Sequence, residues 1–348
     1  MIILSVTLKE IANQLGISVS TLSRVINNKG NVNRVTQERV EEALSKANYV
    51  PNTIARALKM NNTNIVGIII PDIRERLFSE IISGIDGELF DYGYSILLAD
   101  SNESGEKEKF YLDILMQQRV DALVLATTTI YDCRAENYLD AGIPTVFIDS
   151  LPHNITKQYD AVLVDNYLAG RIGAQYLLDL GHTDVAVITG INATPAIERL
   201  RGFQDTYSNA GAPIPDTLIS SGYFKKKDGI ECMGELLALR SKNPYTAVVV
   251  MFEMMVAGAF EVLREHGLKV PEDISLLGYD VQDKMGLAVP AITTVNQPEN
   301  KIGKITASLL LDRLKVKRDK GVGQMKQDEG HKILLTPFLH IADSCVKR

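Results

Sequence analysis

Cysteine is scarce in this chain of 348 residues: Cys133, Cys232 and Cys345 are an odd number with no C-x-x-C pair. That excludes a disulfide framework and a cysteine-based zinc site, and fits thiols kept reduced. Histidine is nearly as sparse, five in all, with no two at metal-ligand spacing, so no metal is expected. Long apolar runs are missing too. IVGIII, DALVLA and TAVVVM each span only six residues, against roughly 20 for a membrane span, so no membrane partner is expected. The opening MIILSVTLKEIAN has neither a basic lead nor a small-residue cleavage site, and a cytoplasmic location is expected over secretion. Finally, there is no G-x-G-x-x-G after a strand, no P-loop and no G-x-S-x-G elbow, so neither catalytic residues nor a cofactor are expected. His182, in LGHTD, reads as a loop residue bonded to backbone rather than a base.

What is present is an uneven charge. The chain carries a net −6, yet residues 1–60 hold eight basic and four acidic residues, a local +4 that leaves −10 for the remainder. A basic end fused to an acidic body is the footprint of a nucleic-acid-binding module joined to a separate domain. At 45% hydrophobic and 23% charged the composition is that of a globular chain with a sizeable core.

The basic end has its own pattern. Thr7 caps a helix over LKEIANQL with Glu10 completing a capping box, and Leu8, Ile11, Ala12 and Leu15 share one face. Gly16 stops that helix at a turn that commonly needs positive φ. Ser18 caps a second helix whose apolar face is Leu22, Val25 and Ile26, and VTQERVEEALSKAN supplies a third. Small residue, glycine four later, aliphatic six after that is helix-turn-helix spacing. The outward face of the second helix, with Val19, Ser20, Ser23, Arg24 and Asn27, carries no acid. It suits the DNA major groove, where Arg24 can bond guanine O6 and N7 and Val19 can meet a thymine methyl.

VTLKEIANQLGISVSTLSRVIN followed by NYVPNTIARALK resembles the lactose/galactose repressor family of bacterial transcription regulators. The resemblance implies DNA contacts from Thr7, Ser18, Val19, Ser20, Ser23, Arg24 and Asn27. It also implies a hinge helix over about 51–59 that orders on operator DNA, with Asn52, Ala55, Leu58 and Lys59 at the minor groove. A lone leucine beside the polar tract KMNNTN fits an apolar wedge between base steps.

Beyond the linker, short apolar strands alternate with helical patterns in two cycles. The expected fold class is α/β: an N-terminal three-helix domain with its hinge helix, then two doubly wound subdomains of periplasmic-binding-protein type enclosing a cleft at the carboxyl ends of their strands. GIIIPD, VDALVL, IPTVFID, ERLRGF, VPEDISLLGYD and TTVNQP match the family's landmarks. The expected division is residues 1–60 for DNA binding and 61–348 for effector binding and dimerisation. One subdomain would take about 64–163 and 295–323, the other about 164–294 and 324–348, with crossings near 163, 294 and 323.

Cleft residues implied by the resemblance are Pro71, Asp72, Asp149, Arg199, Phe224, Phe252 and Asp280. Two departures from the family stand out. MFEMMVAG places Phe252 and Glu253 where relatives show Asn-Asp, making the floor less polar. IRERLF places Arg74 and Arg76 near the mouth, which weakly favours a sugar phosphate or acid sugar. The expected function is an effector-modulated repressor acting as a homodimer, or a tetramer, on double-stranded operator DNA, with a sugar or sugar derivative as effector. The alternatives are a solute-binding protein, which needs export, and a metabolite-processing enzyme on the same fold.

Overall fold

The computed structural model describes residues 7–26, 32–47, 62–128, 134–153, 155–281, 289–320 and 330–348. The expected contacts of Asn27, Asn52, Ala55, Leu58 and Lys59, and the hinge helix, lie outside the described residues. The chain divides into two compact units, Met1–Thr63 and Asn64–Arg348.

In the first unit, α1 (Leu8–Leu15), α2 (Val19–Ile26) and α3 (Arg34–Lys46) surround a core of Ile11, Ala12, Leu22, Val25 and Val40. Thr7 and Glu10 form the capping box at α1, and Gly16 ends it at φ 68°. Ser18 Oγ accepts from the backbone N–H of Thr21 at 3.1 Å, starting α2. Arg39 of α3 donates to the Leu15 carbonyl at 3.2 Å, which ties α3 to the end of α1.

The second unit runs β1 (Ile65–Ile70), α4 (Arg76–Phe90), β2 (Ser95–Asp100), α5 (Gly105–Gln117), β3 (Ala122–Leu125), α6 (Glu136–Asp140), β4 (Thr145–Ile148) and β5 (Asp160–Val164). It continues α7 (Asn166–Asp179), β6 (Val185–Gly190), α8 (Thr194–Asn209), β7 (Ile219–Gly222), α9 (Lys226–Leu239), β8 (Ala247–Val250), α10 (Glu253–Glu265) and β9 (Ser275–Tyr279). Last come β10 (Thr293–Asn296), α11 (Glu299–Lys320), β11 (Lys332–Leu335) and β12 (Phe338–His340).

Two six-stranded sheets result, ordered β11-β5-β4-β3-β1-β2 and β12-β10-β9-β8-β6-β7. Central strands such as ALVL and AVVV are buried along their whole length, as parallel strands covered on both faces must be. Each sheet reverses its strand order beside its first strand, β1 against β3 and β6 against β8, and that switch point opens a crevice at the carboxyl ends.

Among the described residues the chain passes between lobes three times. The first pass, at Asp165, lies close to the expected 163. The second follows Asn296 rather than 294, because β10 belongs wholly to the second sheet. The third was expected near 323, but β11 pairs in parallel with β5 of the first sheet, so the chain returns only after Leu335. KILL is too short and too exposed to announce itself as a strand. Two passes are bonded together, Asp165 N–H donating to the Leu335 carbonyl at 2.9 Å.

Three helix pairs, α4 with α11, α7 with α8 and α9 with α10, each meet through a glycine from both partners: Gly84 and Gly303, Gly170 and Gly202, Gly229 and Gly258. A Cβ at any of them would press on the facing backbone. The backbones therefore approach more closely than the usual 8–10 Å between helix axes allows side chains to fill.

Candidate functional site

The crevice between the lobes holds about 600 Å3 of empty space, the open solvent at its mouth included. Strand ends of both sheets contribute: Pro71 and Glu75 after β1, Glu103 after β2, Thr127 and Thr128 after β3, and Asp149 and Ser150 after β4. From the other lobe come Arg199 of α8, Phe224 after β7, Phe252 and Glu253 after β8, Asp280 after β9 and Gln297 after β10. Glu103, Asp149, Phe224 and Asp280 all have left-handed backbones, φ 59° to 68°. For residues with a Cβ this costs on the order of 1–3 kcal/mol each and persists where surrounding structure fixes it, as at ligand clamps.

Arg199 is the organiser. It is 1% exposed and donates from Nε to Asn166 Oδ1 (2.8 Å), from Nη1 to the Met251 carbonyl (2.7 Å) and from Nη2 to Asp280 Oδ2 (2.8 Å). Its guanidinium lies 5.2 Å from the ring centres of both Phe252 and Tyr279. Of its five N–H donors, two are left for a ligand. Asp280 Oδ2 also accepts from Gln297 Nε2 at 3.0 Å, while its Oδ1 is buried with no partner. Two donors outside these bonds beside a carboxylate oxygen without a partner have the chemistry to hold adjacent hydroxyls.

Around that pair the cleft is acidic. Burial pushes the Asp149 carboxyl up to about 6 against the pull of Arg199. Burial likewise lifts Glu253 to about 6, and lifts Glu103 to about 8 with help from Asp149 and Asp72. Glu75 lies well above the carboxylate range, through burial and then the neighbouring charges of Glu103 and Asp149. Phe224 and Phe252 form an edge-to-face pair with centroids 4.7 Å apart, and the Phe224 ring covers Gly190 where a Cβ would stand. Glu108, buried under the lobe, accepts from the hydroxyls of Thr127 and Thr128 and from the Thr128 N–H, holding that loop.

In the first unit Ser18, Val19, Ser20 and Arg24 are exposed on the outer side of α2 and Ser23 partly so, opposite buried Leu22 and Val25. Thr7 and Ser18 use their hydroxyls within the caps.

Residues 7–52 match the bacterial regulatory proteins of the lacI family, and residues 174–344 match a periplasmic binding protein-like domain. The chain is 34% identical to the HTH-type transcriptional repressor PurR of Histophilus somni (strain 129Pt), over 89% of this chain and 93% of that one. It belongs to the lacI family of bacterial regulatory proteins. The ribose operon repressor of Escherichia coli (strain K12) is 33% identical over 88% of this chain and 93% of its own. Among solved structures, the lac repressor dimer bound to operator and the anti-inducer ONPF superposes with a TM-score of 0.80 at 25% identity, covering 98% of this chain and 99% of that chain. A CelR–cellobiose complex does so with 0.71 at 30% identity, covering 97% and 99%. This lacI-family chain is thus a DNA-binding transcriptional regulator and not an enzyme. His182 fits that: it is fully buried, its ring bonded to Thr246 Oγ1 and the Val346 carbonyl. Among the described residues no helix is long and apolar enough to cross a membrane.

Of the seven cleft residues expected in this regulator, Pro71, Asp149, Arg199, Phe224, Phe252 and Asp280 line the crevice. Asp72 does not. Arg74, two residues on, takes both its carboxylate oxygens. Nor do Arg74 and Arg76 form a positive mouth, since Arg76 is bound to Glu299 at 2.6 Å and reaches the Asp280 carbonyl. Glu75 and Glu103 were missed: they stand beyond the ends of β1 (Ile70) and β2 (Asp100), in the loops that lead to the next helices, where the strand-end rule still looks for ligand groups.

Proposed function

We propose that this regulator represses transcription in the cytoplasm as a homodimer, each protomer setting α2 into one half of a pseudo-palindromic operator. A sugar or sugar derivative in the cleft would then reset the angle between lobes and with it the affinity for DNA. Val19, Ser20, Ser23 and Arg24 read bases, while Thr7 and Ser18 hold the helix ends against the backbone of the duplex. The observation that carries the reading is the buried Arg199 and Asp280 pair, with Asp280 Oδ1 unpartnered, in the crevice between the lobes. Gln297 adds to it, because it bonds Asp280 from the second pass between lobes and so couples the site to the hinge. Relatives found with operator or with cellobiose agree with both halves of the proposal. Support for self-association comes from the free edge of the first sheet, where Leu97 of β2 and the nearby Phe90 and Tyr92 are exposed.

The test is fluorescence anisotropy on an operator selected from random DNA. Arg24→Ala should weaken operator binding by about 1–3 kcal/mol and random-sequence binding much less. Equal loss on both would remove Arg24 from base reading.

A further inference from the structure

Five carboxylates line the crevice, Glu75, Glu103, Asp149, Glu253 and Asp280, against the single guanidinium of Arg199. Of the cations nearest by, Arg74 holds Asp72, and Arg76 holds Glu299 while its charge also reaches Glu253. Arg199 pairs with Asp280 and its charge also reaches Asp149, so the least compensated groups are Glu75 and Glu103 on the first lobe. Lys225, beside Phe224, is a positive group whose charge reaches Glu103, and it also acts on Asp72. Two carboxylate oxygens in this wall, Asp280 Oδ1 and Glu253 Oε2, are buried without a hydrogen-bond partner. Asp280 as a whole is 4% exposed.

We infer that the effector carries a protonated nitrogen, as an amino sugar or a comparable amino polyol does, with its ammonium against Glu75, Glu103 and Asp149 and its hydroxyls on the Arg199 and Asp280 pair. This rests on the regulatory reading above and names the effector class within it. The reason is desolvation. Closing a neutral ligand into this crevice would strip water from acid groups whose counter-charge is incomplete, Glu75 and Glu103 above all, and burying unpaired charge is costly. A phosphate would add repulsion to that cost. An ammonium group supplies donors and charge at once, and hydrogen bonds between charged partners are about twice as strong as neutral ones. The Phe224 and Phe252 rings, packed edge to face, offer an apolar surface to the carbon face of a pyranose. The carboxyl shifts agree: groups held partly protonated in the empty crevice ionise when a cation arrives, so binding releases protons.

The experiment is calorimetry on the full chain with matched probes: glucosamine against glucose, N-acetylglucosamine and glucose 6-phosphate, with galactosamine and mannosamine against their own neutral and phosphorylated counterparts. Titrations run in two buffers of different ionisation heat, and operator affinity is measured in the same preparations. The expected result is that an ammonium-bearing probe binds about tenfold or more tighter than its uncharged match, with proton release. Glu103→Gln and Glu75→Gln should each erase most of that preference. An uncharged or phosphorylated member binding as tightly as, or tighter than, every amino member overturns the inference, and if that member also shifts operator affinity the regulatory reading still stands. An amino probe that binds selectively without changing operator affinity supports the inference and counts against the regulatory reading.

Discussion

Replacing Arg199 by methionine separates its charge from its bulk. Methionine keeps an unbranched stem against Phe252 and Tyr279, but removes donors to Asn166, Met251 and Asp280 in one step. Two neutral acceptors and one buried carboxylate are then left without their partner. Individually each would cost about 1–3 kcal/mol, but such terms overlap, and breaking one side of a buried pair typically costs about 3–5 kcal/mol in all. For a unit of this size 1 kcal/mol moves the melting temperature by about 2 °C, so Arg199→Met should melt roughly 6–10 °C below the native protein. Adding Asp280→Asn removes the stranded charge and should recover about 1–2 kcal/mol, a coupling expected of groups in direct contact. The deficit also depends on pH. Arg199 holds the Asp149 carboxyl down to about 6, and without it Asp149 rises further. A carboxyl raised in the folded state above its unfolded value near 4 lends stability that is full below about pH 4 and is lost as pH climbs through the folded value. In the native protein that loss is complete soon above pH 6; in the variant it continues. Thermal unfolding followed by circular dichroism from pH 5 to 8 measures both effects. A variant melting within 1–2 °C of native, by the same conversion, or a deficit equal at all pH values, would refute the assignment of Arg199 as counter-charge to this wall.

Further expectations follow the same geometry. The ligand-free native protein should lose thermal stability between pH 5 and 8, as Asp149 and Glu253 ionise near 6 and Glu103 near 8, with Glu103→Gln flattening the upper part of the curve. Gly170→Ala places a methyl on the Arg199 carbonyl and should cost about 1–3 kcal/mol while weakening effector binding in calorimetry. Gly87→Ala, with open space around it on α4, should be neutral or stabilising by up to about 1 kcal/mol in the same melts.

The first unit was legible in the sequence because its determinants are local. Thr7, Glu10 and Gly16 lie within ten residues, and capping and left-handed turns obey short-range rules. In the cleft, Asp149 and Asp280 could be read because each directly follows an apolar strand. The arginines could not. Arg76 finds Glu299, 223 positions away, and nothing near IRERLF signals that partner. The pair Arg74 and Asp72 was within reach, being two residues apart, but its effect on the mouth depends on which side of the loop turns inward. The acidity of the crevice was hidden for a related reason. Glu75 and Glu103 become neighbours because β1 and β2 pair in parallel, and Glu253, at the start of α10, joins them only because the two sheets face each other across the crevice.

The glycine pairs set what each lobe can do when its ligand comes and goes. Helices that touch through main chain have no side-chain cushion to slide on, so α7 with α8, and α4 with α11, behave as welded beams. Arg199 stands on one beam, at the residue whose carbonyl abuts Gly170, and Arg76 begins the other. A ligand's pull on the guanidinium would therefore be passed to the whole helix pair, and the passes at Asp165, Gln297 and after Leu335 are where it would turn one lobe against the other.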